Sequence, residues 1–399
     1  MKLLEDEPDI LTFYGSPVRT IQKGESYVHL GVIQAPTNQS RLAVDFRLSK
    51  AMEMVYLHQG STKSALSGVS PVCNRKIIQC YDLPTFIYGL DTIPINKTDL
   101  DRLESKFRNS LRNIQSLPAT VATPAIYLTI GVLPAIAERD IEILGLLGQI
   151  SQCPRDLQSV TDVIEDGLTK FDINFEGWSG MCRRVAAVYN LEDPLDIVQQ
   201  PWKSDRWREH CRRIVTAYWL EILVQSCEEY STLNLFDSSR LHLKSPHPIW
   251  TAAGHDSTST KRATIVLWFL LGAYNTGERL FKMGKNKSPN CVLCTEQSLS
   301  TQVDDRAHFL LSCPAFSDIR EDFLSQFVAL SPALVSHMEV SDTFLVCLLD
   351  PFSPLVPSDI RQSWSSEEAV YEASRNFCFA MHNRRTKLLD SMTSQEHDH

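Results

Sequence analysis

The chain has 399 residues, 43% of them hydrophobic and 22% charged, with a net charge of −9. That size and composition predict two or three globular domains, and no apolar run approaches the ~20 residues a membrane span needs. The N-terminus lacks the apolar core of a secretory signal, and the eleven cysteines are scattered, so a disulfide framework is not expected and a reducing, intracellular setting, nuclear or cytoplasmic, is.

In chain order, residues 9–14 and 26–33 read as short strands separated by Gly and Pro, and 41–58 as a helix. Residues 60–71 read as a Ser/Gly-rich loop, and 74–89 as an apolar segment broken at Pro84. Thr98, with Asp101 three residues on, is expected to cap a helix whose apolar stripe is Leu100, Leu103, Phe107, Leu111 and Ile114. That helix should stop before Pro118. A helical pair broken at Gly131 and Pro134 follows over 125–150. Residues 156–205 show poor periodicity and read as a linker region. Asp205 is expected to cap a helix to about 229, and 242–260 to be loop. Residues 261–275 read as an apolar helix. Ser365, with Glu368 as a capping box, opens a last helix to about 389, and a frayed polar tail follows. The fold class is therefore mainly α with a few short N-terminal strands.

The most specific pattern is Cys291, Cys294, His308 and Cys313, which reads C-x2-C, a thirteen-residue spacer, then H-x4-C. Thiolate and imidazole are the donors Zn(2+) prefers, and short gaps let each pair turn back on one ion. Four protein donors leave no open position for water, so one structural ion is expected rather than a catalytic one.

Charge is unevenly distributed. Residues 261–289 carry Lys261, Arg262, Arg279, Lys282, Lys285 and Lys287 against Glu278 alone, and 202–213 carry five basic residues against two acidic ones. Arg102 and Lys106 lie on the outer face of the Thr98 helix. Trp207, between Arg206 and Arg208, is a candidate stacking platform for single strands. These residues mark a candidate surface for weak, non-specific RNA or DNA binding, which the acidic net charge opposes. Asp304-Asp305 reads as solvated loop charge.

Several phrases in order resemble one family. Tyr27-Val28-His29-Leu30-Gly31-Val32, Gly68-Val69-Ser70-Pro71, the segments 81–90, 103–117 and 123–134, His247-Pro248-Ile249-Trp250, Leu271-Gly272-Ala273-Tyr274 and Ser288-Pro289-Asn290-Cys291 are similar to non-LTR (LINE-type) retrotransposon reverse transcriptases. So is 308–314, which resembles the second half of that family's zinc-binding region. The resemblance runs from about 10 to about 330 and begins after the palm that carries the family's paired catalytic aspartates. It implies a thumb-like region over 1–150, a helical linker over 151–260, a CCHC zinc-binding region over 261–330 and a C-terminal helical segment with tail over 331–399. It further implies a fragment that is catalytically incomplete on its own. Two alternatives stay open: a zinc-stabilised protein-interaction module with no nucleic-acid role, and part of a longer, active RNA-directed DNA polymerase.

Overall fold

The computed structural model describes residues 12–13, 16–17, 25–59, 64–152, 158–170, 172–200, 203–296, 302–337 and 341–397. They are mainly helical, with strand confined to two short antiparallel pairs near the N-terminus. β1 (Thr12–Phe13) pairs with β2 (Ser16–Pro17), and β3 (Tyr27–His29) with β4 (Val32–Gln34) in the register Tyr27↔Gln34, Val28↔Ile33 and His29↔Val32. The two residues of the second turn, Leu30 and Gly31, both have positive φ (48° and 77°), as a tight turn matched to strand twist requires. The Tyr88 hydroxyl donates to the Leu30 carbonyl (3.0 Å), and Arg47 donates to that of Gly31 while its guanidinium lies over the Tyr88 ring. These contacts offset the strain of a leucine at φ > 0.

The helices follow. α1 (Gln39–Gln59) matches the expected span. α2 (Pro71–Ile77), a π-turn (Ile78–Asp82) and α3 (Leu83–Ile87) replace the break expected at Pro84. The Leu83 N–H bonds back five residues to the Ile78 carbonyl, so the ladder has already changed register where proline removes a donor. α4 (Lys97–Ile114) is capped by Asn96, not Thr98: the Asn96 side-chain oxygen accepts from the Asp99 N–H at 2.9 Å. Its stripe Leu103, Phe107, Leu111 and Ile114 is buried. α5 (Thr123–Ile130) and α6 (Ala135–Ile150) are separated at Gly131 and Pro134 as expected.

The region expected to be irregular holds α7 (Gln158–Lys170), α8 (Trp178–Val188) and α9 (Pro194–Gln199). Asp193 caps α9 by accepting from the Leu195 N–H, Pro194 occupies the first helical turn, and Arg183 pairs with Asp193. α10 (Ser204–Glu228) has Asp205 in its first turn rather than as its cap. Within the expected loop lie α11 (Pro248–Ala253), capped by His247, and the start of α12 (Ser257–Leu270), capped by Asp256. α13 (Gly277–Lys282), α14 (Val292–Glu296), a π-turn (His308–Ser312), α15 (Ser317–Leu330), α16 (Ser341–Leu349), α17 (Ser358–Ser363) and α18 (Glu367–His397) complete the chain. The cap of α18 is Ser366, whose hydroxyl accepts from the Ala369 N–H, so the Ser365–Glu368 box does not form.

The chain divides into two units, each discontinuous in sequence: residues 1–53, 84–104 and 138–211, and residues 54–83, 105–137 and 212–399. In the first, Arg139 of α6 is buried and donates to the carbonyls of Leu90 (2.8 Å) and Ile93 (3.1 Å), while the Tyr189 hydroxyl donates to Asp140 (2.7 Å). In the second, α12 packs against α18 and α11, and α15 packs against α18. Buried Gln115 links its elements, donating to the Leu111 and Ile126 carbonyls and accepting from the Thr129 hydroxyl and the Trp250 indole. Such a fully satisfied polar group fixes the packing where an unpaired one would destabilise it. Among the described residues no helix is long and apolar enough to cross a membrane.

Candidate metal centre

The second unit gathers Cys291, Cys294, His308 and Cys313. The first pair is set by a short antiparallel bridge. Asn290 faces Val303, the Cys291 N–H donates to the Gln302 carbonyl (2.8 Å), and the Asp304 N–H donates to that of Pro289 (2.9 Å). α14 then winds Cys294 back over Cys291, whose carbonyl accepts from the Thr295 N–H (3.1 Å). The second pair is set by the π-turn. The Cys313 N–H reaches the His308 carbonyl at 2.7 Å, five residues back, and the Asp305 carboxylate accepts from the His308 N–H (2.6 Å). The wider π-turn stacks residues five apart, which is what an H-x4-C pair needs to face one point.

The four side chains are buried, and their donor atoms lie within 4.8 Å of one another. Cys294 Sγ is 3.4 Å from His308 Nε2 and 3.7 Å from Cys313 Sγ, and Cys291 Sγ is 3.9 Å from Cys313 Sγ. On the far side of the ring, His308 Nδ1 lies 3.0 Å from the Gln302 side-chain oxygen and 3.3 Å from the Ser312 hydroxyl. Gln302 thereby accepts the Nδ1 proton and leaves the Nε2 lone pair facing the sulfurs, the arrangement that orients a metal-ligating histidine. Without a cation the three thiols conflict. A hydrogen bond from Cys313 holds Cys291 well below the usual thiol range, that same bond pushes Cys313 up, and burial pushes Cys294 up. A cation among the sulfurs would let all three ionise together. The cluster can thus hold a metal ion, and among the described residues it is the one group of three or more metal-type side chains so placed.

Asp304 is not solvated loop charge. It is 1% exposed, accepts from the Gly277 N–H, and forms a two-pronged salt bridge to Arg385 of α18 at 3.0 and 2.5 Å. Arg385 also lies over the Phe309 ring, 4.8 Å from its centroid. The sequence offered no sign of this strut, because its partners lie far apart along the chain. Gln302 was equally illegible within a polar connector.

The nucleic-acid candidates are distributed over both units. Arg102, Arg206, Trp207 and Arg208 lie in the first, and Lys106, Arg279, Lys282, Lys285 and Lys287 in the second. Arg102 is paired with Asp45 and Asp99, Arg208 with Glu142, and Lys282 with Glu278. Arg279 is half-buried and donates to the Ala273 carbonyl and the Thr120 hydroxyl. Lys106, Arg206, Lys285 and Lys287 are exposed. Trp207 is 0% exposed, and its indole N–H donates to the Leu144 carbonyl at 2.7 Å. A Cβ at Gly148 would lie 2.1 Å from its ring, so the indole is seated on the bare backbone of α6. Its face is covered by the core, and the stacking role expected for it gives way to packing.

The chain matches no family model, no curated protein and no solved structure.

Proposed function

We propose that this chain is a zinc-stapled, non-catalytic part of a non-LTR retrotransposon-type reverse transcriptase that binds RNA or DNA weakly and without sequence preference. The observation that carries the reading is the closed, buried Cys3His cluster. Zinc bonds of ~2.3 Å to sulfur and ~2.05 Å to nitrogen place tetrahedral ligand atoms about 3.5–3.8 Å apart. The separations of 3.4, 3.7 and 3.9 Å fit that tetrahedron. With four protein donors the ion's role is structural: it would stabilise the loop that presents Lys285 and Lys287. The ordered phrases from Tyr27 to Pro314 support the family assignment. The absence of catalysis is supported by the one adjacent aspartate pair. Asp304 is committed to Arg385, and Asp305 to the His308 N–H, so neither is free to hold Mg²⁺ for nucleotide transfer.

A second reading, a zinc-stapled protein-interaction module, is favoured by the net charge of −9 and by the carboxylates already paired with Arg102, Arg208 and Lys282. One measurement tests the staple that both readings share, and a second separates them. Elemental analysis of purified protein should find one zinc, and Cys291→Ser or Cys313→Ser should lower it; a metal-free protein from zinc-replete cells would refute the staple. A titration with single-stranded RNA should then show affinity falling with salt, each phosphate contact contributing about −0.7 to the log–log slope. Lys285→Ala with Lys287→Ala should flatten that slope by about one unit or more. If the parent does not bind at low salt, the interaction module is the surviving reading.

A further inference from the structure

We propose that Cys73 and His255 form a thiol–base pair at which small disulfides S-thiolate the protein. The pair lies in the second unit, well separated in sequence from the metal-type cluster. Cys73 Sγ sits 3.3 Å from His255 Nδ1, and both residues are exposed. The contact is set by anchored backbone on both sides. Ser70 accepts from the Cys73 N–H (3.0 Å) through its carbonyl, and through its hydroxyl donates to the Gly254 carbonyl (2.8 Å). His255 is therefore bracketed by Gly254, tied to the Cys73 helix, and by Asp256, whose carboxylate accepts from the Ser259 N–H (2.6 Å) and caps α12. Gly254 takes φ of 61° and ψ of −133°, a conformation open to glycine that turns the chain so His255 faces the thiol.

The other described cysteines differ. Cys182, Cys211, Cys227, Cys347 and Cys378 are buried, and burial pushes each of these thiols up, away from reactivity. Cys291, Cys294 and Cys313 face one another. Cys80 is exposed, as Cys73 is, but among the described contacts it has no imidazole within hydrogen-bond reach, which makes it an internal control.

A nucleophile with a positioned base in contact is the arrangement that attacks soft electrophiles. With the ring proton on Nε2, the Cys73 thiol donates to Nδ1. Cys73 Sγ attacks one sulfur of a small disulfide RSSR as its proton passes to Nδ1; a new S–S bond joins Cys73 to that RS group, the S–S bond of RSSR breaks, and the other sulfur leaves as the thiolate RS⁻. That thiolate takes the proton from His255 and departs as RSH. The exchange balances as Cys73–SH plus RSSR giving Cys73–S–SR plus RSH, with no further oxidant.

The test treats the 399-residue chain, purified with zinc present, with excess oxidised glutathione and follows each cysteine-bearing peptide by mass spectrometry. Cys73 should form its mixed disulfide about tenfold or more faster than Cys80 at pH 7. His255→Ala should bring Cys73 to the Cys80 rate, and added imidazole should restore Cys73 alone. An unchanged Cys80 rate in that variant reports an intact fold. Equal rates for Cys73 and Cys80 in the parent, or a fast Cys73 in His255→Ala, would overturn the proposal. Failure of imidazole to restore the rate would overturn the assignment of His255 as base.

Discussion

Two buried side chains respond to pH in opposite senses. Burial in the first unit pushes the Asp140 carboxyl up to about 6, with the Arg139 charge opposing it. A folded pKa raised above the unfolded value contributes stability that is complete below about pH 4 and lost as pH rises through about 6. In the second unit, burial pushes the His247 imidazole down to about 4. A folded pKa depressed below the ordinary ~6.5 contributes stability above that pH and loses it as pH falls toward 4. Between pH 7 and 4.5, amide exchange corrected for intrinsic rates should show α6 gaining protection while α11 loses it. Asp140→Asn should abolish the α6 trend and leave the α11 trend, and a common direction in both helices would contradict these assignments. Trp207 belongs to the same scale. With its ring wholly enclosed, Trp207→Ala should cost about 3–5 kcal/mol, read as a lowered urea midpoint. Its RNA affinity under native conditions should not change. A loss of affinity with an unmoved midpoint would restore Trp207 as a stacking platform.

At the scale of elements, legibility followed the range of the interaction. The α4 stripe and the breaks at Gly131 and Pro134 were readable because periodicity and punctuation are local. The Cys3His cluster was readable for the same reason, since each pair's spacing is closed within one turn. Caps were displaced by a residue or two, from Thr98 to Asn96 and from Ser365 to Ser366, because neighbouring polar residues compete for one backbone donor. The helices α7 to α9, which pack on one another, were missed although α7 and α8 are amphipathic, because the Asp, Gly and Pro residues between them hid the periodicity; Asp193-Pro194 was a cap signal that could have been used. Gln302 was illegible because its meaning depends on a ring six residues away that only the fold brings to it. On the zinc reading proposed above, Gln302→Ala should therefore weaken zinc about 10- to 100-fold in chelator competition, while stoichiometry at saturation stays at one. Unchanged affinity would mean that His308 is oriented by Ser312 alone.

At the scale of the molecule, the excess of acid in the composition reappears as partners for individual bases. Asp45, Asp99, Glu142 and Glu278 take up arginines and a lysine that looked free in the sequence. Counting basic residues along a segment therefore overstates the cationic surface, and the exposed lysines of the loop before Cys291 are what remains near the cluster. The Asp304–Arg385 strut is the other long-range feature. Removing one member of a buried ion pair strands the other, so Arg385→Met should destabilise the second unit by about 3–5 kcal/mol. Asp304→Asn in the same chain should recover part of that loss; an additive double variant would show that the two do not act as a pair.

The strut also sets an order of events during synthesis. Cys291 to Cys313 leave the ribosome well before residue 385, and at ~5–20 residues per second the interval lasts several seconds. Through that interval Asp304 has no guanidinium to meet, and the bridge that aligns Cys291 with Gln302 is without its buttress. On the zinc reading, a nascent chain stalled before Arg385 clears the ribosome should hold the ion loosely, and release of the chain from the ribosome should tighten the grip. Maturation of the metal centre would then be timed by the arrival of a helix that contributes no ligand to it.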